Sequence, residues 1–451
     1  MPGDLLNEPS SARTTSDALR PSACPGLLRI VAALDGGISR IKLAGGVLDA
    51  TQAEAVATAA ERYAGGVIEA TNRGNLQIRG IGEQQAPLIE MLLAAGLGPS
   101  QAAGDDVRNL MLSPVAGIDR QMLFDTRPLA TQILHSLEST TRFHQLSAKF
   151  AVQLDGGEGM AMLEHPHDLW LSALMLDGEV WLAFGLAGCL ANTAPLGAVP
   201  LAQGHALVLA VLNRFLDLAR PEQARMRQLL TEIGMGAFVD SLAIPLRRDP
   251  AVLQWRRQPM PADLHLGTYP QHESGLVAVG AAPPLGRLNP LLLRGVAHLA
   301  ATMGDGSLRL TPWQSLLLPN IALERAAEVS RKLSDLGLLC EPNLPLARMV
   351  ACTGSAGCGK GLADTKADAL LLANLLQERG PAASVHLSGC SRSCAMAHVA
   401  PATLLAVAPG RYDLFLRAPG LPGFGALRAR NLTLEAAGAL LDACSRSNLD
   451  D

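Results

Sequence analysis

The chain has 451 residues, of which 49% are apolar, with a mean hydropathy of +0.21 and a net charge of −4. That length exceeds what one hydrophobic core serves, so several domains are expected. The acidic balance argues against nucleic-acid binding. No apolar run approaches the roughly 18–20 residues of a membrane span, so the sequence reads as a cytoplasmic protein with neither partner. Eight cysteines are too few to staple such a chain with disulfides, and a clustered subset in a reducing compartment points to metal.

Residues 1–22 are polar, lack the apolar centre of a signal peptide and read as a disordered tail. Leu27 to Leu43 has strand character, with a turn at Asp35-Gly36-Gly37. Asp49 or Thr51 then caps a helix through Ala53, Val56, Ala57, Ala60 and Tyr63 that stops at Gly65-Gly66. Val67 to Arg79 reads as strand, polar turn, strand. The same order returns downstream, with strand over Leu276–Leu288, helix over Leu291–Met303 and a strand pair over Ser307–Pro319. Laying one stretch on the other sets Thr71-Asn72-Arg73-Gly74-Asn75-Leu76 beside Thr311-Pro312-Trp313-Gln314-Ser315-Leu316, which indicates an internal duplication.

A second pair of copies supports it. Arg108 to Ile118 lies over Arg348 to Cys358, and Asp125 and Asp364 each open an amphipathic helix. The chain therefore reads A-B-A′-B′, with a Pro- and Arg-rich joint from Arg247 to Asp263. Copy B′ carries Cys352, Cys358, Cys390 and Cys394 in the pattern C-x5-C…C-x3-C, whereas copy B holds Leu112 and Ile118 at the first two places. Asp364 caps a helix with Ala367, Leu370, Leu371 and Leu375 at helical spacing and Gly380-Pro381 as its stop, and Val385-His386-Leu387 is a strand leading to Cys390. Structural zinc prefers tighter spacing. Four thiolates amid Gly354, Ser355, Gly357, Gly389 and Ser391, which let amides approach sulfide, suit a [4Fe–4S] cluster.

This combination resembles the sirohaem-dependent sulfite and nitrite reductases. Thr71-x-Arg73, Arg108-Asn109, Lys149-Phe150 and the Arg220, Arg225, Arg227 group are similar to their tetrapyrrole- and anion-binding elements. Within that superfamily, Ala23 to Leu27 and Gly66 to Gly80 resemble the precorrin-3B synthases. Two departures stand out: Lys149-Phe150-Ala151 replaces the reductases' Lys-Phe-Lys, and Cys390-Ser391-Arg392-Ser393-Cys394 replaces Cys-Pro-Asn-x-Cys.

The resemblance implies an α+β fold, internally duplicated, with two ferredoxin-like half-domains and two α/β cluster-type domains around a central cleft. The boundaries it suggests are half-domain A at 23–100, domain B without cluster ligands at 101–248, linker and half-domain A′ at 249–335, and the [4Fe–4S]-binding domain B′ at 336–446. It implies an oxygen-dependent monooxygenase that converts precorrin-3A to precorrin-3B in aerobic cobalamin biosynthesis, hydroxylating C20 and closing a γ-lactone. The alternatives are a sirohaem-dependent sulfite or nitrite reductase and a non-enzymatic iron–sulfur electron carrier. Precorrin-3A is a polycarboxylate, and guanidinium forks suit it. Candidate ligand-binding residues are Arg73 and Arg108 first, then Lys149, Arg225, Arg227, Arg40, Arg79 and Arg287.

O2 as co-substrate requires an electron donor, such as an NADH-linked reductase, and the resemblance implies a mononuclear non-haem iron with unassigned ligands. Two His and a carboxylate are the expected set. His165-Pro166-His167-Asp168 has those residue types, although a polar turn of this kind reads more readily as an exposed loop. His398 reads as a hydrogen-bonding neighbour of the cluster, and His386 as one face of a strand. Cys189, Cys340 and Cys444 read as small core residues, as does Cys24, despite its matching surroundings. Trp313, opposite Arg73 in the repeat, would stack on a macrocycle.

Overall fold

The computed structural model describes residues 24–377 and 384–447, so the expected tail and the helix stop at Gly380-Pro381 lie outside the described residues. The first quarter holds β1 (Val31–Ala33), β2 (Gly36–Ile41), β3 (Val47–Asp49), α1 (Ala50–Tyr63), β4 (Val67–Ala70), β5 (Leu76–Ile81) and α2 (Gln85–Ala94). The second holds β6 (Leu110–Met111), α3 (Arg127–Ser139), β7 (Val152–Asp155), β8 (His167–Leu176), β9 (Glu179–Gly188), β10 (Gly197–Pro200), α4 (Gly204–Leu218), α5 (Met226–Ile233), α6 (Met235–Asp240) and α7 (Pro250–Leu253).

The third repeats the first as β11 (Gly267–Pro270), β12 (Leu276–Ala281), β13 (Arg287–Leu288), α8 (Pro290–Met303), β14 (Ser307–Leu310), β15 (Leu316–Ala322) and α9 (Ala326–Asp335). The fourth holds β16 (Met349–Ala351), α10 (Thr365–Gln377), β17 (Val385–Ser388), β18 (Ala402–Ala408), β19 (Arg411–Leu416), β20 (Ala426–Leu432) and α11 (Leu434–Ser447).

Helix α1 starts where Asp49 and Gln52 form a reciprocal capping box, and it buries Ala53, Val56, Ala57 and Ala60. Helix α8 starts at Pro290, with the Asn289 side chain accepting from Leu292 N at 2.8 Å. The stretch from Leu276 to Leu288 is broken into two strands by a turn at Pro284–Gly286, because two consecutive prolines remove ladder donors. Leu27 to Leu43 is likewise split, with β1 and β2 meeting at the expected turn.

The described residues form four five-stranded sheets. Two run β1-β2-β5-β4-β13 and β11-β12-β15-β14-β3, all antiparallel, so each half-domain lends its partner an edge strand. Leu288 lies opposite Ile68, and Leu48 opposite Leu308. All four are buried in a single core shared by both copies, which makes the halves interdependent. The exchange needs two abrupt bends. Gly45-Gly46 and Leu285-Gly286 each run left-handed, at φ 61 and 71 and at 52 and 72. A Cβ on Gly46 would sit 1.9 Å from the Leu310 carbonyl oxygen, so no larger residue fits there.

The other two sheets, β6-β7-β8-β9-β10 and β16-β17-β18-β19-β20, share one pattern: three parallel strands followed by two antiparallel ones. Each has its own core. The duplicated α+β architecture expected from the sequence is the one observed.

Candidate cluster site and central cleft

Strands β16 and β17 run parallel with Ala351 beside Leu387, so the residues after both strands emerge at one sheet end. Cys352 and Cys390 follow there. The Cys352 amide donates to the Leu387 carbonyl at 3.3 Å, the Gly389 amide donates to Cys352 Sγ at 3.2 Å, and Leu362 N donates to the Gly389 carbonyl at 2.9 Å. Gly354, Gly361 and Gly389 pack against one another. A Cβ on Gly361 would approach Gly354 C to 2.5 Å, and one on Gly389 would approach Cys352 Sγ to 3.4 Å. The Cys394 thiol, on the exposed side of the group, is raised by partial burial and then by Cys390, Cys352 and Cys358, so the four sulfurs share one electrostatic neighbourhood.

Among the described residues no three His, Cys, Asp or Glu side chains are close enough to hold a single ion. Four neighbouring thiols with an amide aimed at one sulfur suit a cubane, which would take one thiolate on each iron.

The first half-domain wraps this loop. Arg79 pairs with Asp35 through two bonds of 2.9 Å and donates to the Gly357 carbonyl at 3.3 Å. Leu34 N donates to the same oxygen at 3.2 Å. Glu69 lies among Arg287 at 3.1 Å, Arg79 at 3.8 Å and Lys366 at 3.8 Å, with Thr353 Oγ1 at 3.4 Å. Burial alone would push its carboxyl up, but Lys366, Arg79 and Arg287 together hold it below the usual range. Glu69 and Lys366 were not singled out from sequence, although the repeat contained the signal. The residue overlying Glu69 is Arg309, which donates to Pro114 and Ala116 carbonyls at 2.9 and 3.0 Å in the cysteine-free copy of the loop.

The two overlaid turns match bond for bond. Thr71 N donates to Asn75 O at 2.9 Å and Gly74 N to Thr71 O at 3.1 Å, while Thr311 N and Gln314 N repeat both bonds at 2.9 and 3.1 Å. Both turns reach the loop after the last cysteine, with Asn72 Nδ2 on Cys394 O at 3.3 Å and Gln314 Nε2 on Ala395 O at 3.0 Å. Arg73 and Trp313 therefore flank the same segment. Trp313 is half-buried and stacks on His265, with ring centroids 5.0 Å apart and planes 8° apart.

Of the expected ligand-binding cations, the structure gathers three. Arg73 is lowered to about 10 by burial and by Arg225, with Asp168 opposing and Arg40 adding to the effect. Arg40 is lowered by burial, with Cys24 and Cys394 opposing, and its Nε has no partner among the described residues. Arg225 is bound to Asp168 at 2.9 Å. Cys24 is half-buried beside Arg40 and Arg73 and is not a core residue.

The others lie elsewhere. Arg79 and Arg287 serve the Glu69 network behind the cluster loop. Arg108, ranked first from the sequence beside Arg73, faces Glu138 at 3.6 Å and the Leu97 carbonyl at 3.5 Å. Lys149 and Arg227 are exposed.

The expectation of an exposed His165–Asp168 loop is corrected, for His165, His167 and Asp168 are 0%, 1% and 2% exposed. Asp168 does not fit a metal triad either. Its oxygens accept from Arg225 Nε, from Met226 N at 2.8 Å and from Ala151 N at 2.9 Å, a role set by the start of α5. The described residues thus supply no ligand set for a mononuclear iron. Cys189 and Cys340 are buried as small core residues, and Cys444 is half-buried. No helix is long and apolar enough to cross a membrane among the described residues.

Two family descriptions match this chain. "Nitrite and sulphite reductase 4Fe-4S domain" covers residues 103–249, and "Nitrite/Sulfite reductase ferredoxin-like half domain" covers 34–96 and again 269–336. The chloroplastic ferredoxin–nitrite reductase of Zea mays is 32% identical over 392 residues, spanning 80% of this chain and 68% of that one. The ferredoxin–nitrite reductase of Synechococcus elongatus is 30% identical, spanning 82% and 76%. A precorrin-3B synthase of a Sinorhizobium species is 27% identical over 427 residues, spanning 90% and 86%. Among solved structures, the NirA protein of Mycobacterium tuberculosis superposes with a TM-score of 0.75 at 23% identity, over 91% of this chain and 80% of that one, a likeness of fold.

Proposed function

This chain belongs to the nitrite and sulfite reductase family of oxidoreductases, and from that membership we propose that it is an oxygen-dependent monooxygenase converting precorrin-3A to precorrin-3B. One oxygen atom of O2 enters the macrocycle at C20, the ring A acetate closes as a γ-lactone, and two electrons and two protons take the other atom to water. A [4Fe–4S] cluster bound by Cys352, Cys358, Cys390 and Cys394 supplies electrons one at a time, delivered by an NADH-linked reductase or a ferredoxin-type donor.

The observation that carries the reading is Ala151. Its side chain is buried, 3% exposed, and its amide is bound to Asp168, at the place where the resembling reductases carry their second lysine. A site for reducing a small oxyanion concentrates cations on that ion, and here one ammonium is replaced by a methyl group. Arg40, Arg73 and Arg225, spread around Cys394 and His167, suit a ligand whose carboxylates are spaced around a ring. The precorrin-3B synthase relative, aligned over most of both chains, supports the same reading.

The higher identity of the ferredoxin–nitrite reductases favours a second reading, a sirohaem-dependent nitrite reductase. Pigment separates the two. Protein purified without oxygen is expected to show broad iron–sulfur absorption and no Soret band, and to gain none on incubation with sirohaem. A strong Soret band after that incubation would overturn the monooxygenase reading.

A further inference from the structure

Beside Arg73 lies a group of imidazoles for which the fold provides no hydrogen-bond partners. His165 is 0% exposed, and neither of its ring nitrogens is bonded among the described residues. His167 is 1% exposed, and its Nδ1 lies 2.9 Å from the His165 carbonyl oxygen. A carbonyl only accepts, so Nδ1 carries the hydrogen and Nε2 holds an unshared pair with no partner. His398 places Nε2 at 3.4 Å from Glu164 Oε2, and its Nδ1 is unpartnered. Its ring lies 5.0 Å from that of His165. Unmade hydrogen bonds are rare in a protein interior and mark a site that something else completes. The half-buried Arg73 guanidinium beside them has no hydrogen-bond or ion-pair partner among the described side chains.

We propose that His165, His167 and His398 form the proton-accepting wall of the cleft, so that an anionic tetrapyrrole settling on Arg73 is bound together with a proton that these imidazoles take from solvent. The proposal uses the cleft assigned above and its anionic ligand, and it does not depend on which reaction follows.

The charges around the group set the direction. His165 faces Arg73, His167 and His398; His167 faces Arg73 and Arg225; and His398 faces Glu164, Arg417 and the buried His386, itself a neutral imidazole held below the ordinary range by burial and then by His398. Asp168, the acid beside Arg73, is already spent on Arg225 and two backbone amides. Burial first, and then these cations, hold His165 and His167 well below the ordinary histidine range, so both are neutral in the empty protein. A carboxylate that neutralises Arg73 removes part of what keeps them neutral, and a protonated imidazole turns an unpartnered lone pair into a donor. Proton uptake on binding then requires, by reciprocity, that affinity fall as pH rises.

The test is calorimetric titration of the cluster-loaded protein with uroporphyrin I, a metal-free polycarboxylate tetrapyrrole, between about pH 6.5 and 8.5, where the ligand's carboxylates stay ionised. Repeating it in buffers of different ionisation enthalpy counts protons. The expected result is a net proton uptake that is largest at the acid end, with a Kd that weakens as pH rises by less than about tenfold per unit.

In the double variant His165→Asn, His167→Gln, whose amides donate without a proton, uroporphyrin should still bind but with a Kd that no longer changes with pH. A wild-type Kd independent of pH and buffer, no binding of uroporphyrin at any pH, or a double variant that keeps the full slope would each overturn the proposal. The wild-type arm needs no variant to fold. Because binding is read without turnover, a failure here is separate from a failure to oxygenate.

Discussion

Glu69 shows how one side chain can tie the cysteine-bearing loop to a neighbouring domain. Its buried carboxylate is held by three cations from three segments, Arg79, Arg287 and Lys366, while Thr353 touches it from the cysteine loop itself. Removing Glu69 leaves Lys366 buried with only backbone carbonyls as partners, whereas Arg79 keeps Asp35 and Arg287 is partly exposed, so the cost is up to about 3 kcal/mol. Glu69→Ala should therefore lower the denaturation midpoint of the protein and reduce the iron and sulfide retained on gel filtration, two quantities measured on the same sample. The pH dependence has a definite sign. Because the folded carboxyl lies below its unfolded value, its contribution is fully present above about pH 4.3 and is lost as pH falls through the folded value. The variant's denaturation midpoint should accordingly lose less than wild type's between neutral pH and the acid limb. Little of this was legible, since a Glu in a short strand carries no local pattern and its one signal is the reversal of charge to Arg309 at the overlaid position of the repeat. By contrast, the four cysteines announced themselves by spacing, and Arg73 by its place in a repeated turn. Arg108 shared a motif with the resembling family yet packs on Glu138, because a motif fixes residue type and leaves the partner to tertiary packing.

At the scale of elements, most helices and strands followed from periodicity and caps: α1 from Asp49, α8 with Pro290 at its first turn, α10 after Asp364. The exchange of β3 and β13 between half-domains did not. Those strands are only three and two residues long, and their partners lie more than two hundred positions away in the chain, where no local pattern reaches. What makes the exchange possible is the left-handed pair before each strand. Gly46→Ala would force a Cβ to within 1.9 Å of the Leu310 carbonyl oxygen at φ 71, on backbone that cannot yield without breaking the β3–β14 pairing. A loss of several kcal/mol, more than about 3, is expected in urea unfolding, whereas Gly96→Ala, equally left-handed at φ 74 with nothing within 4 Å, should cost only about 1.

In the whole molecule, duplication sets the frame and asymmetry distinguishes its two halves. At overlaid positions one half carries Glu69 beside the cysteine loop and the other carries Arg309 gripping the carbonyls of a loop with Leu112 and Ile118 in place of cysteines. Likewise the matching turns present Arg73 on one side and Trp313 on the other. The duplication was visible in the sequence because the repeat keeps its turn residues. The burial of His165 and His167 was not, because it depends on packing from B and B′ together.

The central claim is that this cleft oxygenates a metal-free tetrapyrrole. It is tested most directly by incubating the cluster-loaded protein and a reductant with precorrin-3A under isotopically labelled O2 and weighing the product. A product heavier by one labelled oxygen atom is expected. Recovery of unchanged precorrin-3A from a protein that instead reduces nitrite or sulfite would contradict it.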